Sequence, residues 1–192
     1  MEEVRSFIAI ELPDELKQEL TQLEDRLKLS NQPWVRWVNP YSIHVTLKFL
    51  GNVATDRIDQ ITRSMEEASR GIAPFHLEVR ELGVFPNLKR VQVAWVGVKG
   101  EVDTIQRLQQ RIESGLVPLG FAAESRKFTP HLTLARVSNR ASPNERQRFG
   151  ELIAGSSFEA VHSIEVNAVN LMKSQLTREG AIYTRTSSVA LK

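Results

Sequence analysis

The sequence predicts an α+β protein built as two pseudo-symmetric lobes about a central cleft. Three observations predict it. The chain has 192 residues, 41% of them hydrophobic and 25% charged, which suits one domain or two small lobes sharing a core. Short apolar runs alternate with amphipathic helical patterns. The order strand, helix, His-Thr strand, helix, strand occurs twice.

In the first half, Phe7-Ile8-Ala9-Ile10-Glu11-Leu12 is a short apolar run and reads as a strand. Pro13 suits a first helical turn, and Leu16, Leu20, Leu23 and Leu27 recur at helical spacing, which predicts a helix over 13–29. A loop containing Asn31, Pro33 and Pro40 leads to a strand over Ile43–Leu50, closed by Gly51-Asn52. Ile58, Ile61, Met65 and Ala68 predict a second helix ending near Gly71. Phe75–Phe85 follows as a strand, stopped by Pro86-Asn87. The second half repeats the order. Val91–Val98 is a strand; Val102, Ile105, Leu108 and Ile112 give a helix ending near Gly115; Phe128–Val137 is the second His-Thr strand. Ser142-Pro143-Asn144-Glu145 carries a capping-box pattern with proline just inside the start of a fourth helix. Phe158 to about Leu171 reads as one strand, and Ala181–Ser187 as the last. The expected organisation is a single domain over 1–192, with repeat halves at about 6–86 and 90–188 and a seam between lobes near 86–90.

Composition narrows the function. No apolar run approaches the roughly 20 residues that span a bilayer, and the N-terminus carries Glu2 and Glu3 rather than a basic leader, so a cytoplasmic protein is expected. There is no cysteine, hence no disulfide or thiolate metal site. A net charge of +2 excludes a general duplex-binding surface; any nucleic-acid contact is local and short. The glycines show no phosphate-cradling spacing, which excludes a P-loop motor or kinase. A monomer is the default expectation.

Two of the four histidines stand in matching tetrapeptides, His44-Val45-Thr46-Leu47 and His131-Leu132-Thr133-Leu134. Residues two apart on a strand share a face, so each His projects with its Thr. Two imidazoles facing each other across a cleft suit concerted acid–base work on a phosphodiester. One takes a proton from the attacking oxygen, and the other protonates the departing oxygen on the far side of phosphorus. Threonine hydroxyls at the same face can donate to non-bridging oxygens. Two histidines without a carboxylate at ligand spacing make a poor zinc site, so no metal and no cofactor are expected. Phe75-His76-Leu77 and Val161-His162-Ser163 lack the threonine and read as structural or exposed.

On these residues the sequence resembles the two-histidine phosphoesterase superfamily, and within it the bacterial and archaeal RNA 2′,3′-cyclic phosphodiesterases, also called 2′-5′ RNA ligases. Phe7 to Pro13, Trp37-Val38 before His44, Lys48-Phe49-Leu50-Gly51, Phe85-Pro86, Trp95-Val96-Gly97-Val98 and Phe128-Thr129-Pro130 extend the resemblance along the chain. The resemblance implies two antiparallel sheets flanked by helices around a water-filled cleft. It implies metal-independent hydrolysis of an RNA terminal 2′,3′-cyclic phosphate to a 2′-phosphate, and 2′-5′ ligation in reverse. It makes His44 the general acid and His131 the general base, which sequence symmetry alone does not assign. The partner it implies is an RNA or oligonucleotide end carrying a cyclic phosphate. Two other readings stay open: a phosphodiesterase for a small cyclic nucleotide or an ADP-ribose cyclic phosphate, and a non-catalytic module that grips RNA ends.

A second tier of candidates binds substrate. Arg136 stands where the family has an arginine that contacts phosphate, but strict alternation turns it away from His131 unless a bulge intervenes. Alternation puts Lys48 on the face of His44 and Thr46. Trp34, Trp37, Tyr41, Phe49 and Phe85 are candidates for stacking on a base, Trp37 and Phe49 foremost. Lys89-Arg90, Arg126-Lys127 and Arg140 are candidates for the upstream backbone.

Overall fold

Residues 2–158, 162–177 and 180–192 are described in a computed structural model. Among these residues, nine strands form two antiparallel sheets. β1 (Glu3–Glu11), β3 (His44–Ala54), β8 (Ala168–Thr177) and β9 (Gly180–Ala190) make one, in the order β3-β1-β8-β9. β2 (Val35–Trp37), β4 (Phe75–Phe85), β5 (Val93–Gly100), β6 (His131–Val137) and β7 (His162–Val166) make the other, in the order β2-β6-β5-β4-β7. Four helices, α1 (Asp14–Lys28), α2 (Ile58–Ser69), α3 (Val102–Leu116) and α4 (Pro143–Ala154), pack against the sheets. None of the described helices is long and apolar enough to cross a membrane.

The helices form where the leucine and isoleucine spacing puts them. Leu16, Leu20, Leu23 and Leu27 of α1, Ile61 and Met65 of α2, and Ile105, Leu108 and Ile112 of α3 are all buried, each contributing about 1.5–3 kcal/mol of apolar transfer. Ser142 and Glu145 form the capping box at α4: Ser142 Oγ accepts from the Glu145 N–H at 3.3 Å, and Glu145 Oε2 accepts from the Ser142 N–H at 2.6 Å. Residues 7–10 of β1 are an unbroken apolar run because both faces of that stretch are covered. Ile8 and Ile10 enter the main core, while Phe7 and Ala9 cluster with Met172 on the other side.

The lobes are not the sequence halves. β4 pairs with β5 from Leu77↔Gly100 to Phe85↔Val93, so residues 86–90 turn a hairpin inside one sheet and separate no lobes. The first half's last strand thus joins the second half's sheet. Reciprocally, β8 pairs with β1 in the other sheet. The expected single strand from Phe158 to Leu171 is two strands, β7 on β4 and β8 on β1, with the chain changing sheets at Asn167. Residues 159–161, which include Val161, lie outside the described residues. The expected 30–42 loop contains the three-residue edge strand β2, paired to β6 from Val35↔Val137 to Trp37↔Ala135.

Candidate active site

The two His-Thr strands hold equivalent places. Along β1–β3 the cross-strand partners are Glu11↔His44, Ile10↔Val45 and Ala9↔Thr46; along β5–β6 they are Gly97↔His131, Val96↔Leu132 and Trp95↔Thr133. Val45 and Leu132 are fully buried, while each His and Thr is half-buried on the opposite face. β3 and β6 also come within contact range of each other.

Each strand then bulges at the same point. The register skips Leu47 in β3 and Leu134 in β6, so two successive residues turn toward the core: Leu47 with Lys48, and Leu134 with Ala135. This reverses the alternation beyond the motif. Arg136 returns to the face of His131 and Thr133, where its cross-strand neighbours are Val93 and Arg36. Phe49 returns to the face of His44 and Thr46, exposed, with its ring centroid 6.1 Å from that of Phe7.

The same bulge removes Lys48 from the expected cleft position. Its ammonium is buried under α3, donating to Glu113 Oε2 at 2.6 Å and to the Ala122 carbonyl at 2.5 Å. Trp37 is also displaced from its expected role. It shares the core side with Ala135 and meets Phe149 of α4 edge-on at 5.9 Å, with Lys28 over its ring at 5.6 Å. Trp34 packs on Phe149 likewise, and Tyr41 is exposed. His76 is exposed beside Glu101 at 4.0 Å.

Both imidazoles are fixed in the same way. His44 Nδ1 lies 2.9 Å from the Ser42 carbonyl, and His131 Nδ1 lies 2.7 Å from the Thr129 carbonyl. A carbonyl only accepts, so Nδ1 carries the proton in each ring. Nε2 is left as the working nitrogen, an acceptor when the ring is neutral and a donor when it is charged. Aromatic rings hold the planes. Phe7 stacks on His44 at 4.5 Å, Tyr183 meets it edge-on at 5.2 Å, and Phe85 meets His131 edge-on at 5.1 Å.

Burial pushes both histidines below their ordinary pKa of 6.5, and the carbonyl bonds to Ser42 and Thr129 oppose it. The remaining influences differ. The negative charge of Glu11 raises His44, whereas the Arg136 guanidinium lowers His131 further. Arg136 also acts on Tyr183, whose hydroxyl is raised mainly by burial and lowered by Arg136 and Arg5. One guanidinium on β6 is therefore felt both by His131 and by the tyrosine that caps His44, which places both motifs in one electrostatic environment.

The described residues gather no group of three or more His, Asp or Glu able to hold a metal ion. Sequence reasoning missed Glu11, Asn170, Tyr183, Arg185, Arg5 and Arg36 as residues that share a face with the two motifs. The signal for Glu11 was present, since Phe7, Ala9 and Glu11 alternate onto one face of β1.

A family model described as LigT-like phosphoesterase matches the chain twice, over residues 10–95 and 96–183. The RNA 2′,3′-cyclic phosphodiesterase of Methanothermobacter thermautotrophicus is 36% identical over 94% of this chain and 95% of its own. That of Aeropyrum pernix is 33% identical over 85% and 90%. The crystal structure of E. coli LigT complexed with 3′-AMP superposes with a TM-score of 0.78 at 23% identity, covering 100% of this chain and 99% of that one, and so shares the fold.

Proposed function

This chain belongs to the LigT-like phosphoesterase family, and we infer from that membership and from its paired histidines that it is an RNA 2′,3′-cyclic phosphodiesterase. The observation that carries the reading is the duplicated lock: two His-Thr pairs at equivalent strand starts, each Nδ1 bonded to the carbonyl two residues back, each Nε2 left for chemistry.

In the proposed reaction, His131 Nε2 takes a proton from water as the water oxygen bonds to phosphorus. The P–O3′ bond breaks, and His44 Nε2 delivers its proton to O3′. The product keeps the phosphate on O2′. No metal is required for this step, because the imidazoles move both protons. Thr46 and Thr133 donate hydrogen bonds to the non-bridging oxygens, and Arg136 balances the charge that builds there. The assignment of acid and base is supported by the asymmetric field: Glu11 favours the charged form of His44, and Arg136 favours the neutral form of His131. Phe49 stacks on a terminal base, and Arg36 and Arg5 hold flanking phosphates; their support is a shared face with the motif residues. With a 5′-hydroxyl in place of water as the nucleophile, the same proton transfers form a 2′-5′ linkage.

The test is hydrolysis of an oligonucleotide ending in a 2′,3′-cyclic phosphate, with a strong chelator present. The expected result is a 2′-phosphate end at undiminished rate, with His44→Ala and His131→Ala each slower by several orders of magnitude. Absence of turnover overturns the function, loss of turnover on chelation overturns the metal-free route, and near-normal turnover in either variant overturns that residue's role.

A further inference from the structure

The two histidine sites are related by pseudo-symmetry, and the symmetry is broken first at the register position facing each histidine. Glu11 stands directly across from His44, and the residue across from His131 is Gly97, which carries no side chain. Cross-strand partners share a face with their Cβ atoms about 5 Å apart, so a residue bearing a carboxylate stands opposite one histidine and no side chain replaces it at the other.

That carboxylate is held from two further strands. Arg185 of β9 brings both Nε and a terminal nitrogen to 2.7 Å from Glu11 Oε2, and Asn170 Nδ2 of β8 donates to the same oxygen at 2.7 Å. Asn170 is buried, and its own Oδ1 has no partner among the described residues, so the amide is committed to Glu11. At the equivalent position in the other sheet, Gly83 occupies the place of Asn170. There the Trp95 indole fills the space: a Cβ on Gly83 would lie 2.2 Å from the ring. One floor is a charged hydrogen-bonded network and the other is aromatic.

A second break reinforces the first. Five residues beyond each histidine, the bulge returns Phe49 to the His44 face but Arg136 to the His131 face. Glu11 thus favours a proton on His44, and Arg136 disfavours one on His131.

We propose that Glu11, clamped by Arg185 and Asn170, is a positioning residue that makes His44 the proton donor of the pair. This rests on the reading of His44 as the general acid. Glu11 acts through the imidazole across the strand and touches no reacting atom. The other charged or titratable groups facing His44 are Arg185 and Tyr183 on β9; Arg5 and Arg136 face Tyr183 in turn. Burial disfavours the proton that His44 must hold to act as donor, and the Ser42 carbonyl and Glu11 oppose that effect in part.

The experiment is a ring NMR titration of both histidines in the full chain, beside the pH dependence of kcat/KM on a cyclic-phosphate oligonucleotide, for wild type, Glu11→Gln and Glu11→Asp. Gln keeps the shape and an oxygen acceptor for Arg185 and Asn170 but removes the charge. The expected result is a fall of about one pH unit in the His44 midpoint and none in that of His131. The high-pH limb of kcat/KM should move down with it, a loss of about tenfold there and little loss on the low-pH side. KM should hold, and Glu11→Asp should recover most of the midpoint. An unmoved His44 midpoint, or equal movement of both histidines, overturns the proposal. A fall in the His44 midpoint without movement of the high-pH limb overturns the donor assignment beneath it and leaves the Glu11–His44 coupling standing.

Discussion

Arg136 shares a face of β6 with His131, five residues away, because the register skips Leu134 between them. A regular strand would turn an odd-numbered offset to the core. The bulge costs one unpaired residue in the ladder and returns a guanidinium to the face of His131. Arg136→Ala is therefore expected to lower kcat/KM for a cyclic-phosphate oligonucleotide by about 100-fold, in line with the loss of a charge-assisted contact. Arg136→Lys should recover only part, since a point charge replaces a planar fork. Steady-state kinetics decides; a variant within twofold of wild type would remove Arg136 from the site.

The limits of legibility follow from the same geometry. The helices were readable because their periodicity is local: the expected 13–29 helix is Asp14–Lys28, and the Ser142–Glu145 box opens α4. The motif faces were readable because alternation holds from His44 to Leu47 and from His131 to Leu134. Beyond those leucines it fails, and neither bulge has a glycine to announce it. Lys48 was thereby assigned to the wrong face and Arg136 left unresolved. The exchange of β4 and β8 between sheets was invisible because strand pairing is non-local. Val166-Asn167-Ala168, where the chain changes sheets, contains no glycine or proline. Glu11 escaped notice because its partners, Asn170 and Arg185, lie more than 150 residues away in sequence.

Thr46 and Thr133 are expected to act on the transition state. Replacing either with valine keeps the β-branched shape and the strand but removes the hydroxyl donor. Each single variant should lose about 100-fold in kcat with little change in KM. A rise in KM at constant kcat would mean that the hydroxyl binds substrate and transition state equally.

Lys48 is expected to matter for stability and not for chemistry. Its ion pair with Glu113 is nearly sealed, with side-chain exposures of 7% and 12%, and Gln109 donates to the second carboxylate oxygen at 3.2 Å. Lys48→Met strands the Glu113 charge and should cost about 3 kcal/mol in urea unfolding. Lys48→Met combined with Glu113→Leu should recover much of that, because an apolar pair needs no desolvation of ions. Turnover of folded Lys48→Met should match wild type; a selective loss of kcat would return Lys48 to the site.

Glu24 sets an opposing pH dependence to that of the site histidines. Its carboxyl is buried on α1, with Lys28 donating to Oε2 at 2.8 Å and Oε1 lacking a partner among the described residues. Burial raises its pKa from 4.5 to about 7, against the bond and charge of Lys28. A folded pKa above the unfolded one means the folded state holds the extra proton between them. The stability this contributes is complete below 4.5 and is lost as pH rises to about 7. His44 and His131, with folded values below 6.5, contribute stability that is complete above 6.5 and is lost as pH falls below it. Glu24→Gln removes only the first effect. Its stability relative to wild type should rise between pH 5 and pH 8 by on the order of 2 kcal/mol, then level off. Urea unfolding of both proteins at pH 5, 6, 7 and 8 measures it. A difference independent of pH would mean that Glu24 is already charged throughout this range.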